Sequence, residues 1–461
     1  MAQKKSKVEN AGRPNIIFLL TDDQRWDAMG AMGNSIIQTP NMDKLANAGV
    51  LFQNAYVTTS ICCVSRASIL TGQYESKHHV NDFKTDLSKE SVANSYPALL
   101  KNAGYNIGFI GKFGVGTNPP KELFDFWLNS EAGLEKLQPN YITKGKNGKD
   151  IHDTDTLSNA IQDFLTGYGN EKKPFCLSVS FKAPHEQDGN PPTYVIQPKY
   201  KDYYKYATIP SPVTADPEYW KQFPPFFQTD TNFGRARWKG LLGTPELYQE
   251  NVKNYYRLVT GVDDAIGRMM GKLEQMGLAN NTIIIVMGDN GMFLGEHGME
   301  GKWWGYEESV RVPLLIYNPN APDKIKQYKA PQIALNIDIA PTILGMANVQ
   351  PPKSMQGVDL FNVLENKIPE RKDFFYQYYF LGGPQLPRQE GVVTNRFKYM
   401  NYFENNYEEL FDIMLDPHET QNLAKNPQYK GELDFLRKRY KELKKLHGVS
   451  KSEYLNSKKA F

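Results

Sequence analysis

Four short runs of apolar residues, each stopped by polar turns, limit the fold of this chain more than any other feature. They are residues 15–20 (NIIFLL), 176–181 (CLSVSF), 282–287 (TIIIVM) and 312–317 (VPLLIY). Each is continuous rather than alternating, the pattern of central strands covered on both faces. Helical patterns lie between them. Thr39-Pro40-Asn41 opens one, with Asn41 as its cap, and Gly49 closes it. Residues 96–103 form another, ended by Gly104, and residues 337–346 a further one. Residues 246–276 make a long helical stretch in which Gly261 and Gly267 predict a kink or a break. Strand alternating with helix points to an α/β fold: a large, mostly parallel central sheet sandwiched by helices.

At 461 residues the chain exceeds what one hydrophobic core usually serves. Beyond residue 367 the pattern changes to short Tyr/Phe-rich strands (374–380 and 397–403), followed by a basic amphipathic helix at 436–446 (LRKRYKELKKL) whose charges read as a solvated face. The expected division is a catalytic domain over 1–367 and a smaller C-terminal α+β domain over 368–461, a short antiparallel sheet plus a helix. Residues 191–227 are rich in Pro and Tyr, with Trp220 among them, and lack periodicity, as in a functional loop or lid. The net charge is only +3 and no dense basic arm is present, which argues against a nucleic-acid binder. No apolar run is long enough to span a bilayer. Residues 1–12 (MAQKKSKVENAG) are polar and basic and lack an apolar signal core, as in a cytosolic chain or a trimmed mature one.

Two strand ends carry oxygen ligands: Asp22 and Asp23 after the first run, Asp289 and Asn290 after the third. In open α/β sheets ligands bind at the carboxyl edge of the strands. Adjacent carboxylates leaving an apolar strand repel each other unless a cation neutralises them. Oxygen donors from two distant segments suit calcium or magnesium better than zinc. Taken singly, each pair reads as readily as a solvated turn. The three cysteines, Cys62, Cys63 and Cys176, cannot build a disulfide framework. Cys62 and Cys63 are adjacent in a polar Ser/Thr/Arg setting, which marks them as candidates for chemistry.

The run 62–72 (CCVSRASILTG) resembles the signature of the type I, formylglycine-dependent sulfatases of the alkaline phosphatase superfamily: Cys or Ser, any residue, Pro, Ser, Arg, then a helix ending in Leu-Thr-Gly. Cys62 takes the position of the modified residue, and Val64 stands where the family usually has Pro. The likeness extends along the chain through 15–23 (NIIFLLTDD), 71–80 (TGQYESKHHV), 104–112 (GYNIGFIGK), Ala183-Pro184-His185, 288–291 (GDNG), 295–298 (GEHG), Gly301-Lys302, 306–313 (YEESVRVP) and 410–424 (LFDIMLDPHETQNLA). One departure is consequential. The family commonly has Lys, any residue, His at the Lys112 motif, whereas here the order is Lys112-Phe113-Gly114.

The resemblance implies hydrolysis of sulfate esters, with sulfated carbohydrate as the substrate class. Cys62 would be oxidised to formylglycine by a maturation enzyme, and its hydrate would attack sulfur. Asp22, Asp23, Asp289, Asn290 and residue 62 would hold calcium, or else magnesium. Arg66 and Lys112 would hold the aldehyde hydrate and sulfate oxygens, Lys302 the sulfate and bridging oxygens, and His185 would protonate the departing alcohol. His78 and His297 are assigned to supporting or substrate-facing positions, His78 also as a substitute for the histidine absent after Lys112. Tyr203, Tyr204 and Trp220 in the aromatic segment would form a rim that stacks on a sugar. A glycan sulfatase is expected in the periplasm or outside the cell. Two other readings remain at this point: a phosphomonoester or phosphonate-ester hydrolase of the same superfamily, and an inactive protein that binds sulfated glycans.

Overall fold

The structure is a computed structural model and describes residues 12–130, 140–145, 147–229, 231–381 and 386–449. All but the last of the N-terminal residues 1–12 lie outside the described residues. The main sheet has eight strands: β1 (Asn15–Asp22), β2 (Val50–Tyr56), β3 (Asn106–Gly111), β4 (Phe126–Asn129), β5 (Phe175–Pro184), β6 (Thr282–Gly288), β7 (Leu314–Tyr317) and β8 (Tyr328–Leu335). Their spatial order is β8-β2-β7-β6-β1-β5-β3-β4. All neighbours pair in parallel except β7, which runs antiparallel to β2 and β6. The apolar runs thus form β1, β5, β6 and β7, at the centre of the sheet.

Helices cover both faces. On one side α1 (Pro40–Ala48), α4 (Asp153–Tyr168) and α5 (Pro245–Gln275) pack against Ile17 and Leu19 of β1. On the other, α2 (Cys62–Thr71), α3 (Tyr96–Asn102) and α6 (Ile339–Met346) pack against Ile16, Phe18 and Leu20. Successive residues of β1 therefore feed two different cores, which is why the strand cannot alternate with polar residues.

Two expectations about helices are corrected. The cap of α1 is Thr39, because Pro40 already occupies the first helical turn; Asn41 lies inside the helix and its amide nitrogen bonds Asp263 at 2.8 Å. The second concerns α5, an unbroken helix of 31 residues. Gly261 and Gly267 are there for close approach, not for bending. A Cβ on Gly261 would run into the buried Gln197 amide and lie 3.3 Å from the Tyr200 ring, and one on Gly267 would lie 2.7 Å from Asn41.

The C-terminal part is an antiparallel meander of β9 (Asp373–Tyr378), β10 (Gln389–Thr394), β11 (Phe397–Tyr402) and β12 (Tyr407–Asp412), followed by α7 (Lys430–Leu446). Leu433, Leu436, Tyr440 and Leu443 of α7 are buried, while Lys438, Lys441 and Lys445 face solvent. Residues 367 and 368 lie between the short helix Leu360–Leu364 and β9. The meander shares one core with the preceding part: Phe375, Val392 and Phe411 cluster with Tyr56, Ile61, Val64 and Trp304. Tyr376 donates from its hydroxyl to the Trp303 carbonyl at 2.9 Å, and the Gln377 amide donates to the Thr58 carbonyl at 3.0 Å. The small sheet thereby braces the segments on either side of Cys62 and Lys302.

The two kinds of glycine in α5 can be separated by experiment. Gly261→Ala should destabilise by about 1–3 kcal/mol through overpacking. Gly271→Ala, where nothing lies within 4 Å of the added carbon, should stabilise by roughly 0.5–1 kcal/mol. Urea unfolding followed by circular dichroism reads both; equal shifts in the two variants would contradict the packing argument.

Candidate active site

Strands β3, β5, β1 and β6 are parallel neighbours, so their carboxyl ends meet at one edge. Lys112 follows β3 and His185 follows β5; Asp22 ends β1 and Asp23 follows it; Asp289 and Asn290 follow β6. Across this edge lies α2, all ten residues of which are buried. Cys62 is its first residue, so the free amides and positive dipole end of the helix point at the site. Lys302 is delivered by a short ribbon, Phe293–Leu294 paired with Glu300–Gly301.

These groups converge. Lys302 Nζ lies 2.5 and 2.7 Å from the Asp23 carboxylate oxygens and 3.4 Å from Cys62 Sγ. Lys112 Nζ bonds Asp22 Oδ2. Arg66 Nε bonds Asp289 Oδ2 at 2.8 Å, its Nη2 lies 3.5 Å from Asp22, and its Nη1 donates to the Lys112 carbonyl at 2.6 Å. Asn290 Nδ2 donates to Asp23 Oδ1 at 2.6 Å. His185 Nε2 is 3.4 Å from Asp23 Oδ2, and its Nδ1 faces the Glu186 carbonyl at 2.7 Å.

A cavity of about 200 Å³ opens above Asp23, Cys62 and Lys302. His185, Glu186 and Arg237 form a polar wall, and Phe83, Phe233 and Trp303 line the remainder. Arg66, Lys112, Asp22 and Asp289 sit below this floor, out of solvent. Lys112 is therefore placed on Asp22 and not on the cavity surface, whereas Lys302 reaches the surface.

Burial alone would raise the Asp22 carboxyl, but Lys112, His185 and Arg66 overcome it and hold the group well below the usual carboxylate range. Asp289 goes the other way, pushed up to about 6 by burial and by the neighbouring Asp22, with Arg66 opposing. Asp22 Oδ1 and Asn290 Oδ1 are both buried without a hydrogen-bond partner among the described residues. Ligand atoms of Asp22, Asp23, Cys62 and His185 lie within 4.8 Å of one another. Unsatisfied hard oxygens among three buried carboxylates fit a divalent cation of the calcium or magnesium type. The Cys62 thiol is pushed up to about 12, first by burial and then by Asp22, so the unmodified side chain is protonated at neutral pH and a poor nucleophile.

Other expected positions are not brought to the cluster. His78 is buried behind α2, with Nε2 3.1 Å from Ser68 Oγ and Nδ1 accepting from the Val80 amide at 3.1 Å. It does not stand in for the histidine absent after Lys112. At that position Gly114 has φ +69°, and a Cβ there would come 2.8 Å from Arg66 Cδ, so a side chain would have to displace Arg66. His297 is buried among Tyr219, Phe223, Phe293 and Tyr306, and does not line the cavity. The aromatic-rim expectation is also corrected, since none of Tyr203, Tyr204 and Trp220 borders the cavity. Tyr204 is buried with its hydroxyl 2.5 Å from Thr260 Oγ1, and Arg235 covers the Trp220 ring at 4.7 Å. That segment is pinned to the body of the protein, and the aromatic lining comes from Phe83, Phe233 and Trp303 instead. Sequence reasoning missed these three, and also Glu186, Arg237 and Glu300. Glu186 and Glu300 each adjoin a quoted motif, and adjacency was the one signal that could have drawn attention to them.

The sulfatase family matches residues 14–349, and the family described as N-sulphoglucosamine sulphohydrolase, C-terminal, matches residues 295–446. An N-acetylglucosamine-6-O-sulfatase of Bacteroides thetaiotaomicron is 30% identical over 509 aligned residues, covering 97% of this chain and 88% of the relative. A solved structure of a protein in complex with its substrate D-glucosamine-2-N,6-O-disulfate has a TM-score of 0.80 at 28% identity, covering 95% of this chain and 99% of that one. A phosphonate monoester hydrolase of Agrobacterium radiobacter has a TM-score of 0.79 at 22% identity, covering 94% and 96% of the two chains, a likeness of fold. With a family match over most of its length, and cationic side chains gathered around paired carboxylates and Cys62, the chain belongs to the sulfatase family, whose members are sulfuric ester hydrolases.

Proposed function

We propose that this sulfatase removes the sulfate ester from a sulfated amino sugar of the 6-O-sulfated glucosamine type, using residue 62 as formylglycine and a bound calcium ion. The observation that carries the reading is the convergence of Cys62, Lys302 and His185 on one small cavity above buried Asp22, Asp23 and Asp289. The sugar class is supported by the N-acetylglucosamine-6-O-sulfatase aligned over nearly the whole chain and by the glucosamine disulfate complex. A glycan substrate of this kind goes with a periplasmic or secreted enzyme, matured by a formylglycine-generating partner.

Asp22, Asp23, Asp289 and Asn290 would hold the divalent cation, which would supply charge to polarise a sulfate oxygen and to acidify the nucleophilic hydroxyl. Formylglycine at position 62 supplies, as its hydrate, one hydroxyl for attack and a second through which sulfate can leave without water attacking sulfur. The remaining work belongs to side chains already in place. Lys302 borders the cavity beside residue 62 and meets the sulfate oxygens. Arg66 holds Asp289 and Asp22 in position, and Lys112 neutralises Asp22. His185 gives its Nε2 proton to the departing sugar oxygen, while its Nδ1–H is fixed by the Glu186 carbonyl. Phe83, Phe233 and Trp303 shield the ester from bulk water.

Three outcomes are expected. In enzyme co-expressed with a formylglycine-generating enzyme, mass spectrometry of the peptide containing residue 62 shows an aldehyde; Cys62→Ala abolishes multiple turnover and Cys63→Ala keeps most of it. Equal loss in both variants would put the nucleophile one residue away. Asp289→Ala loses bound calcium, read by elemental analysis, together with turnover; full activity in excess chelator would sink the metal assignment. Paired sulfate and phosphate esters of one alcohol should show higher kcat/KM for the sulfate, and the reverse order would favour a phosphoester hydrolase.

A further inference from the structure

The polar wall of the cavity sets two carboxylates, Glu186 and Asp188, beside Arg237 and His185. Glu186 is 2% exposed and lines the cavity. Its Oε1 is engaged by Arg237 Nη2 at 2.5 Å, but its Oε2 is buried without a hydrogen-bond partner among the described residues. Arg237 is already shared: its Nε bonds Glu300 Oε2 at 2.5 Å and its Nη2 lies 3.2 Å from Glu300 Oε1. The Tyr194 hydroxyl also points at Glu300, at 3.4 Å. Asp188, which is exposed, stands at the mouth on the same side and also lines the cavity. Glu186 and Glu300 thus share one guanidinium, and Asp188 adds a third carboxylate beside Glu186. Arg237 binds Glu186 through Oε1 alone, which leaves Oε2 of that carboxylate as an acceptor.

A buried, ionised carboxylate oxygen with no donor is costly, and it persists where a ligand supplies the donor. An anionic part of the ligand cannot be that donor. The sulfate belongs at the floor, beside Lys302 and the helix N-terminus. From this geometry we infer that Glu186 Oε2, with Asp188 at the mouth, forms a subsite that accepts a hydrogen bond from a hydroxyl or N–H group carried by the sugar beside its sulfate ester. The inference rests on the sulfatase reading above and adds a substrate-recognition site to it. The wall and floor together then read a molecule with an anion at one end and a donor a few ångströms away, as in a sulfated sugar, and discriminate against sulfates that have no such donor. A site built around a buried acceptor rejects a partner lacking the donor far more strongly than an apolar pocket rejects a missing methylene.

The test uses the matured, calcium-loaded enzyme with glucosamine 6-sulfate and 4-nitrophenyl sulfate, the second of which carries no donor. The quantity read is the ratio of kcat/KM for the sugar to kcat/KM for the aryl ester. Glu186→Gln should lower that ratio about thirtyfold or more, the scale of a hydrogen bond to a charged group. Asp188→Asn, at an exposed position where folding is not at stake, should lower it severalfold and decides the matter if Glu186→Gln does not fold. Analogues lacking one hydroxyl, and the 2-deoxy 6-sulfated sugar that lacks nitrogen, separate hydroxyl from N–H: the analogue on which Glu186→Gln no longer has an effect lacks the donor that is read. A ratio unchanged within threefold in the variants overturns the inference, because a loss equal on both esters means that Glu186 acts only by supporting His185. Two tightly held divalent ions per chain would overturn it as well, since His185, Glu186 and Asp188 can also be arranged around an ion. If the wild type hydrolyses neither ester, the sulfatase reading itself fails; hydrolysis of the aryl ester with an unmoved ratio defeats the subsite alone.

Discussion

Two neighbouring carboxylates, Asp22 and Asp23, leave an apolar strand with almost no contact with solvent, and the architecture answers that one electrostatic problem. Desolvating an ion costs on the order of several kcal/mol even after relaxation, and two like charges side by side add repulsion. Asp289 brings a third carboxylate to the same place. Stability therefore requires cations, and the structure imports them from three separate parts of the chain: Arg66 from α2, Lys112 from the end of β3 and Lys302 from the ribbon after β6. The orphaned oxygens of Asp22 and Asn290 are what a bound cation would relieve. The same groups that make the site foldable make it able to grip an anionic ester.

Parallel pairing gives the cluster its location. Because β3, β5, β1 and β6 run the same way, their ends deliver lysine, histidine and carboxylates to one edge without any contribution from long loops. Opposite them, α2 is held on one flank by the main sheet and on the other by the C-terminal meander, whose aromatic core includes Ile61, Cys63 and Val64. Lys398 of β11 lies fully buried between Glu307 and Glu419 at 2.8 Å from each, tying the meander to the segment just after Lys302. The small sheet is therefore part of the apparatus that holds residue 62 in place.

Much of this was legible in the sequence, for identifiable reasons. Continuous apolar runs predict strands that feed two cores, and β1, β6 and β7 are such strands; β5 interrupts its run with Ser178 and Ser180, whose hydroxyls meet Tyr96 and Arg66. Residues immediately after them predict the site, because strand ends in a parallel sheet share an edge. Where the reading failed, the competing term was tertiary. Gly261 and Gly267 look like helix breakers in isolation, but in α5 they give room to Gln197 and Asn41. Tyr203, Tyr204 and Trp220 look like an aromatic rim, yet Tyr204 is drawn inward by Thr260 and the Trp220 ring is covered by Arg235.

The sequence by itself determined the class of fold, the strand ends that carry oxygen ligands, and the membership signalled by the run from Cys62 to Gly72. Those are local properties: periodicity, the polarity of a few adjacent residues, a helix with a known opening. Only the tertiary structure decided that Lys112 lies beneath the cavity while Lys302 borders it, that His78 faces away behind α2, and that Glu186, Arg237 and Glu300 assemble into a wall. Contacts of that kind join residues 51 to 63 positions apart along the chain, and no local pattern encodes which oxygen is left without a partner when such segments meet.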